Sequence, residues 1–361
     1  MNGHFFIPKL YDIMTYKKEY KNMKLQLTLN SLALILCCGD LIPSSTQPIS
    51  TQEWQEIEKK LKSAHKEPSM ITGMSIDTLT QIIGLDEFTA HKIEKRQKLL
   101  PDLFYALQNL ENQDIGVTTI YEEDYPASLR VLGTKMPLVI SYIGDLSLSY
   151  GVNISVAGPQ MMNKTMRHVT KEIMKKISKE GYTVVVGGSK GVEELALRTQ
   201  LTNNGNAVLF VADHMFDKIR LYSKYIKQNK LVIMTANDPY ALFDVTHALD
   251  KNLYICGMVF AQIVTGTHIG SGPVWFTSIQ NIHSHWTRQL VYETLDYSGN
   301  IRLIEMGEAH FTDEDLKSEV TLAEILDNHE TVIKKDDPSI DQMTIFESVS
   351  YTHLTLPTIL R

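Results

Sequence analysis

The sequence is short of cysteine and of long apolar runs, and both shortages exclude classes of protein. The 361 residues include three cysteines, Cys37, Cys38 and Cys256, without a CxxC pair. A disulfide framework or a cysteine-based zinc site is therefore not expected. The longest apolar run, from Leu32 to Cys38, is far shorter than the roughly 20 residues of a membrane helix. We expect a cytoplasmic protein with no membrane contact.

The sequence also lacks an excess of basic residues. Its 35 lysines and arginines are outnumbered by 42 aspartates and glutamates, which gives a formal net charge of −7. Domains that bind nucleic acid through bulk electrostatics are usually basic, so any nucleic-acid site here must be a local patch. Hydrophobic residues make up 43% of the chain, which is ordinary for packed cores, and the length suits two domains.

Both ends of the chain fall outside the fold prediction. Residues 1–22 show no clear hydrophobic period, and Met23 is a candidate alternative start. A signal peptide beginning at Met23 is the alternative to a buried first helix, but polar residues interrupt its apolar region and no small-residue cleavage site follows. Residues 349–361 resemble translated adapter sequence more than protein. We therefore treat 1–22 as a non-core extension and 349–361 as a non-native tail.

Residues 23–112 show helical periodicity. Trp54, Ile57 and Leu61 recur at the spacing of one helix face. Residues 76–100 have the pattern of two short helices joined at Gly84, which is typical of a helix-hairpin-helix module and equally of a small bundle without DNA contact. We predict a small all-helical domain of SAM or helix-hairpin-helix type and leave both interpretations open.

In residues 113–311 the pattern changes, and strand-like segments rich in β-branched residues alternate with helical patterns. Such alternation is typical of a parallel sheet covered by helices on both faces. We therefore predict an α/β fold, with an extended Rossmann-like parallel sheet preceded by the small all-helical domain. Residues 312–348 are expected to form one helix followed by a flexible acidic tail.

Three glycine-containing turns follow predicted strands, where a doubly wound sheet presents backbone N–H groups to its ligands. In the first, Gly158 allows close backbone approach and precedes a predicted helix over residues 164–180. The inner face of that helix is apolar and carries Met166, Val169, Ile173, Met174 and Ile177. A solvated face explains most of the lysines opposite, but Lys164 and Arg167 lie in the first turn, near any bound anion.

The second turn lies within the stretch YTVVVGGSKGVEELALR. It has the composition of a phosphate site, with Gly187, Gly188, Ser189, Lys190 and Gly191. It matches neither the GxGxxG nor the P-loop fingerprint. Glu193 and Glu194 in the first helical turn favour the helix dipole but would repel an anion. A phosphate cradle and a purely structural tight turn both remain open.

The third region, residues 248–278, repeats the arrangement of strand, glycine turn and helix. Lys251 and Asn252 lie on a predicted helix before the strand. Ser271 and Gly272 then open another helix, which includes Trp275. The three turns are therefore expected at one edge of the same sheet.

The sequence contains few groups of residues with the spacing of a catalytic or metal-binding site. His283 and His285 are close in sequence, but without cysteine or acidic partners such a pair is more typical of surface or packing residues. The HExxH motif of zinc metalloproteases is absent. We expect no enzymatic activity, no metal and no cofactor.

The order of these segments resembles the DprA/Smf family of DNA-processing proteins over residues 25–311. The segments that carry the resemblance are, in chain order, DYPASLRVLGTKMPLVISYIGDL, VAGPQ, VVVGGSKGVEELAL, KNLYICGM, SGPVWFTS and YSGNIRLIEMGEAHF. The resemblance implies a Rossmann-like domain that binds single-stranded DNA and helps to load the RecA recombinase in transformation or recombination. Single-stranded DNA and RecA are therefore the expected partners, and a homodimer is a further candidate.

The chain is a diverged match to this pattern. Pro159 and Gln160 stand where the family has Ser-Arg, Glu193 replaces the usual Asp, and Leu197 replaces the usual His. Lys251 keeps a positive charge where the family has Arg, although lysine lacks the planar fork that braces two phosphate oxygens.

Carried over onto this sequence, the resemblance places DNA phosphates at the glycine turns and bases on an aromatic ring such as Trp275. The residues expected to bind DNA are Gly158, Lys164, Arg167, Gly187, Gly188, Ser189, Lys190, Gly191, Lys251, Asn252, Ser271, Gly272 and Trp275.

A short peptide in the acidic tail adds a further candidate partner. Gln342, Met343, Ile345 and Phe346 in DQMTIF resemble the peptide by which bacterial proteins dock on the replicative sliding clamp.

Two other functions remain open. The acidic charge and the paired glutamates of the second turn favour a nucleotide-binding sensor or a nucleosidase-like enzyme on the same fold. A degenerate scaffold that does not bind DNA is the third interpretation.

Overall fold

The computed structural model describes residues 25–317 and 319–328. The N-terminal part is helical, as the periodicity predicts. Its α-helices are α1 Leu29–Cys38, α2 Thr51–Ser63, α3 Glu87–Gln97 and α4 Leu100–Glu111. Between α2 and α3 lie a 3₁₀ segment, Pro68–Gly73, and a π-helical turn, Thr78–Ile82.

Helix α2 shows how local sequence defines these elements. Ser50 and Glu53 form a reciprocal capping box at its N-terminus, which satisfies backbone N–H groups that lack a partner in the helix. Trp54, Ile57 and Leu61 are buried on one face, as their spacing predicts.

A nine-stranded sheet follows, and it confirms the predicted fold class. Its strand order is β1-β2-β6-β5-β4-β3-β7-β8-β9. Strands β3 to β9 pair in parallel, whereas β2 pairs antiparallel with both β1 and β6. The strands are β1 Gly116–Thr119, β2 Val139–Ile143, β3 Asn153–Ala157, β4 Thr183–Val186, β5 Ala207–Phe210, β6 Leu231–Thr235, β7 Ala261–Val264, β8 Arg288–Tyr292 and β9 Ala309–Phe311.

Helices connect the parallel strands and cover both faces of the sheet. They are α5 Lys164–Lys179, α6 Val192–Thr202, α7 Met215–Lys227, α8 Val245–Met258, α9 Gly272–Ser284, α10 Ser298–Glu305, α11 Asp313–Lys317 and α12 Leu322–Asn328. The five predicted inner residues of α5 are all buried. Two 3₁₀ segments, Ala127–Lys135 and Leu146–Ser149, flank β2.

The C-terminal helix predicted after residue 312 is divided in the structure into α11 and α12. Thr321 and Glu324 explain the second start: the Thr321 hydroxyl accepts from the Glu324 N–H, and the Glu324 carboxylate accepts from the Thr321 N–H. This reciprocal pair is a helix N-terminus signal inside the segment that periodicity alone treats as continuous.

The helical N-terminal part and the sheet share one continuous core. Apolar side chains of α1 to α4 pack in the same cluster as Val185, Val208 and Val232 on one sheet face. The other face packs against α5 and α6. The boundary between residues 112 and 113 stays a prediction.

One row of polar residues interrupts the apolar interior on the α8 side of the sheet. Ser155, Gln262 and Gln289 are neighbours in register across β3, β7 and β8, and all three are buried. Parallel strands covered on both faces normally read as apolar runs. This polar row lies beside the place where the strand order reverses.

Candidate functional site

A cavity of about 540 Å³ opens at the carboxyl ends of β3, β4 and β7. From β3 the chain passes to β4 on one side, while β7 pairs with β3 on the other side. This is the topological switch point of the sheet, where ligands of doubly wound folds bind. The three glycine turns predicted from the sequence therefore converge on one cavity.

The structure brings about half of the predicted DNA-binding residues to the cavity wall. Those that line it are Gly158, Ser189, Lys251, Asn252, Ser271 and Gly272. Those outside its lining are Lys164, Arg167, Gly187, Gly188, Lys190, Gly191 and Trp275. Their roles in DNA binding stay predictions.

Lys251 has the most unusual environment in the cavity. Helix α8 holds it 7% exposed, with its ammonium 3.4 Å from the Ser189 hydroxyl. Among the described residues, no carboxylate forms an ion pair with it. Burial of a charge is unfavourable unless the charge is paired and hydrogen-bonded. The Lys251 ammonium is therefore a buried cation at the wall of the cavity with no ion-pair partner among the described residues.

Gly187 is required by the position of Lys251. A Cβ built on Gly187 would lie 2.2 Å from the Lys251 Nζ and 3.0 Å from its Cδ. The absence of a side chain in the second turn therefore allows the ammonium to sit against the backbone there.

Gly191 serves contacts within the protein. It has φ +89°, and a Cβ there would lie 2.3 Å from the Pro159 carbonyl oxygen. The Val192 N–H, at the start of α6, donates to that same carbonyl at 3.3 Å. The first and second glycine turns are thus packed on each other.

In the second turn, a carboxylate of the protein accepts a hydrogen bond from a backbone N–H group. The Ser189 N–H donates to the Glu193 carboxylate at 2.9 Å. A backbone N–H that a phosphate cradle would present is therefore used inside the protein. The composition of this stretch suggests a cradle, but of its glycines, Ser189 and Lys190, only Ser189 lines the cavity.

The third turn leads into a helix whose N-terminus has no side-chain cap. Helix α9 begins at Gly272 with no side-chain hydrogen bond capping its N-terminus, and Ser271, Gly272 and Pro273 line the cavity. Gly270 and Gly272 have positive φ, and a Cβ on either would meet no atom within 4 Å. The positive end of the α9 dipole therefore faces the cavity without an internal anion.

The remaining predicted cations lie on the surface. Lys164, Arg167 and Lys190 are exposed, and they occur in the turns and first helical residues at the carboxyl edge of the sheet. Farther along α5, Lys175 pairs with Glu172.

Trp275 is buried and does not line the cavity. It is 3% exposed and packs with Val264, Val291 and Leu303. The exposed aromatic ring at the cavity is Phe243, in the loop before α8, which is 67% exposed. We call Phe243, Val245 and Leu249, all exposed and all lining the cavity, the apolar rim.

The polar row contributes two residues that the sequence analysis missed. Ser155 and Gln262 line the cavity, and the Ser155 hydroxyl is buried without a hydrogen-bond partner among the described residues. A signal was present in the sequence, because Gln262 is the one polar residue of the strand AQIV and Ser155 interrupts the apolar part of the strand NISVA. Their pairing across the switch point becomes visible only in the folded sheet.

Other sequence candidates lie apart from the cavity. His283 and His285 are exposed at the end of α9. Within residues 25–317 and 319–328, no group of three or more His, Cys, Asp or Glu side chains is placed to hold a metal ion. In the same part of the chain, every helix is too short or too polar to cross a bilayer. The clamp-like peptide, residues 342–346, lies outside the described residues.

Residues 116–315 match the family model of DNA recombination-mediator protein A, which is more than half of the chain. The chain belongs to this family. The DprA/Smf membership predicted from the order of motifs is therefore confirmed, and the matched segment holds all three glycine turns of the cavity.

Solved structures agree with this membership at the level of fold. DNA processing protein A (DprA) from Streptococcus pneumoniae aligns with a TM-score of 0.65 at 16% identity, covering 85% of this chain and 99% of that chain. DNA processing protein A from Helicobacter pylori, whose structure describes its single-stranded DNA binding mode, aligns with a TM-score of 0.49 at 15% identity. That alignment covers 59% of this chain and 97% of that chain, and its TM-score is too low to support an argument. A search of curated proteins finds no match.

Proposed function

We propose that this DprA-family chain binds single-stranded DNA at the carboxyl edge of its sheet and acts as a DNA-processing protein without catalysis. The observation that carries the proposal is the buried Lys251 ammonium, which lines the cavity without a carboxylate partner. A phosphate oxygen is the chemistry that such a group recognises. Family membership supports a nucleic acid as the source of that phosphate.

The surface around the cavity supports a path for the strand. Lys164, Arg167 and Lys190 are exposed at the same edge and form the local patch that an acidic chain needs. Phe243 offers an exposed ring on which a base can stack. Stacking on Phe243 takes the place of the predicted stacking on Trp275, because Trp275 is buried.

Fluorescence anisotropy with 5′-phosphorylated oligo-dT, labelled at its 3′ end, at two salt concentrations tests the proposal. Wild-type protein is expected to bind more weakly at higher salt, because each phosphate contact releases counterions. Lys251→Met is expected to lower the affinity about tenfold and to reduce the log–log salt slope by about 0.7, the value for one contact to a single strand. No binding at low salt would overturn the proposal.

Lys179→Met is the matched control. Lys179 is exposed in the last turn of α5, at the end of that helix farthest from the glycine turns. Its loss is expected to leave oligo-dT affinity within about twofold, since exposed charges beyond a Debye length of about 10 Å are largely screened. Equal losses for both variants would mean that Lys251 has no special role.

The partners and setting follow from the family resemblance. We propose that the protein assists loading of RecA on single-stranded DNA in the cytoplasm, as a monomer or a homodimer. The clamp-like peptide at residues 342–346 is proposed as a separate contact to the sliding clamp. A pull-down with RecA and with the clamp, using the full chain and a chain lacking residues 340–346, tests both, because only clamp capture should depend on the peptide.

A further inference from the structure

The charge of the cavity differs from that of a groove that tracks a polyanion. Lys251 is the one lysine or arginine among its lining residues, and Glu193 lines it too. A strand passing through would place several phosphates there and would meet a carboxylate as well as an ammonium. The lining therefore suits one phosphate rather than a series.

The groups that would hold that phosphate come from three elements. Lys251 on α8 supplies a buried charge, and the uncapped N-terminus of α9 supplies a positive dipole end. Ser155 on β3 is 2% exposed, and its unpartnered hydroxyl is a hydrogen-bond group without a use inside the protein. A buried polar atom without a partner is unfavourable, so native proteins rarely keep one without a reason.

The rest of the cavity suits a flat, partly polar body. The apolar rim offers aliphatic side chains and the Phe243 ring at the opening, and Tyr297 lines the interior. Gln262 and Asn252 add amide groups that can bond to a heterocycle. The volume of about 540 Å³ lies in the range of roughly 300–1,000 Å³ of small-molecule pockets.

We propose that the cavity binds a single nucleotide through a terminal phosphate, either a free nucleoside monophosphate or the 5′-phosphorylated end of a DNA strand. The proposal rests on the proposed function in that both use the same cavity and the same ammonium. It differs in assigning the cavity to a phosphate monoester, and in leaving internal phosphates of the strand to the exposed cations outside it.

Isothermal titration calorimetry with dTMP tests the site directly. Wild-type protein is expected to bind one dTMP, and to bind thymidine at least about tenfold more weakly, because thymidine lacks the charge that pairs with Lys251. Ser155→Ala is expected to weaken dTMP binding about tenfold, through loss of one hydrogen bond to a charged group. Equal affinity for dTMP and thymidine, or no dTMP binding, would overturn the proposal.

Ser141→Ala is the matched control. Ser141 is 1% exposed on β2, and its hydroxyl is also unpartnered, but it does not line the cavity. Its substitution removes the same atoms from the same kind of buried strand position, so dTMP affinity should stay within about twofold of wild type. Equal weakening by Ser141→Ala and Ser155→Ala would show a general structural effect and would count against the site.

Three oligo-dT probes separate the sources of the phosphate: one with a 5′-phosphate, one with a 5′-hydroxyl and one with a 3′-phosphate. Tighter binding of the 5′-phosphate probe alone, competed by dTMP, assigns the cavity to the strand end. Equal binding of all probes, with dTMP still bound, assigns it to the free nucleotide.

The same measurements distinguish failure of this proposal from failure of the proposed function. If oligo-dT binds but dTMP does not, and the 5′-phosphate has no effect, the single-nucleotide site is wrong while DNA binding stands. If dTMP binds and no oligonucleotide does, the site stands and the DNA-binding function is wrong.

Discussion

Two cations, Arg96 and Lys251, are buried in the part of the chain that the structure describes, and their surroundings are opposite. Arg96, on α3 in the helical part, is 1% exposed and donates from its Nε, Nη1 and Nη2 to three backbone carbonyls. Lys251, at the cavity, is 7% exposed and has the Ser189 hydroxyl at 3.4 Å. Neither forms an ion pair with a carboxylate among the described residues.

The difference shows how a buried charge can be assigned to structure or to function. The carbonyls that accept from Arg96 belong to Leu36, Gly39 and Thr46, at and after the C-terminus of α1, so the guanidinium satisfies groups that the helix leaves unpaired. Burial lowers the pKa of Arg96, as expected for a cation removed from water. Each of the three Arg96 nitrogens has a backbone carbonyl partner, whereas the Lys251 ammonium has the Ser189 hydroxyl at 3.4 Å.

The largest expected effect is on Arg96. Arg96→Met should lower the free energy of unfolding by about 3 kcal/mol, because three buried carbonyls lose their donor at about 1 kcal/mol each. Urea denaturation followed by circular dichroism measures this. Arg96→Lys, which keeps the charge but not the planar fork, should fall between wild type and Arg96→Met. An unchanged midpoint for Arg96→Met would remove the distinction between the two cations.

Lys251→Met is expected to act in the opposite direction on stability. It replaces an incompletely paired buried charge with an apolar side chain of similar length, so the free energy of unfolding should stay unchanged or rise by about 1 kcal/mol. The loss appears instead in oligo-dT affinity, by about 1.4 kcal/mol if binding falls tenfold. A variant that unfolds more easily than wild type would place Lys251 in the same structural class as Arg96.

Two glycine substitutions compare a turn beside Lys251 with a turn in the helical part. Gly187→Ala should displace the Lys251 side chain, which a Cβ would approach to 2.2 Å, and should lower oligo-dT affinity about fivefold.

Gly84→Ala, in the hairpin before α3, meets open space at φ +77° and should lower the unfolding free energy by about 1 kcal/mol through backbone strain. Its oligo-dT affinity should match wild type; a loss there would support the helix-hairpin-helix interpretation.

The smallest expected effect concerns Asp86, which closes the α3 N-terminus. Its carboxylate accepts from the Thr89 N–H and hydroxyl, and these bonds lower the pKa of Asp86. The stabilisation is therefore present above the unfolded-state pKa and is lost as pH falls through the folded-state pKa. Asp86→Ala should lower the unfolding free energy by on the order of 0.5–1 kcal/mol at pH 7. Denaturation at both pH 7 and pH 3 should show the difference shrinking at pH 3; a constant difference would contradict the cap.

Much of the fold was predictable because it depends on local patterns. Alternating β-branched strands and helical segments specify a mostly parallel α/β sheet, and the inner face of α5 follows from its 3.6-residue period. The divided C-terminal helix was missed because a capping box, Thr321 with Glu324, restarts the helix without changing the apolar pattern.

The candidate site was predictable only in part. The glycine turns identify the edge of the sheet at which the cavity opens, since parallel strands end their carboxyl termini at one edge. The sequence singles out Trp275 for stacking and not Phe243, because residue type alone does not show which aromatic residue packs under a helix and which lies in an exposed loop. Ser155 was missed because a single serine in a strand has no meaning until Gln262 is placed beside it.

The sequence by itself determined the fold class, the family and the edge of the sheet where a ligand would bind, because each depends on the order and period of residues along the chain. Tertiary structure decided which turns use their hydrogen-bond donors within the protein and which leave them for a ligand. Among the described residues, Glu193 accepts an N–H of the second turn and Asp86 caps α3, whereas α9 has no side-chain cap and Lys251 has no carboxylate partner. An N–H group or an ammonium can be satisfied by the protein or by a ligand, and only the folded arrangement of distant residues shows which.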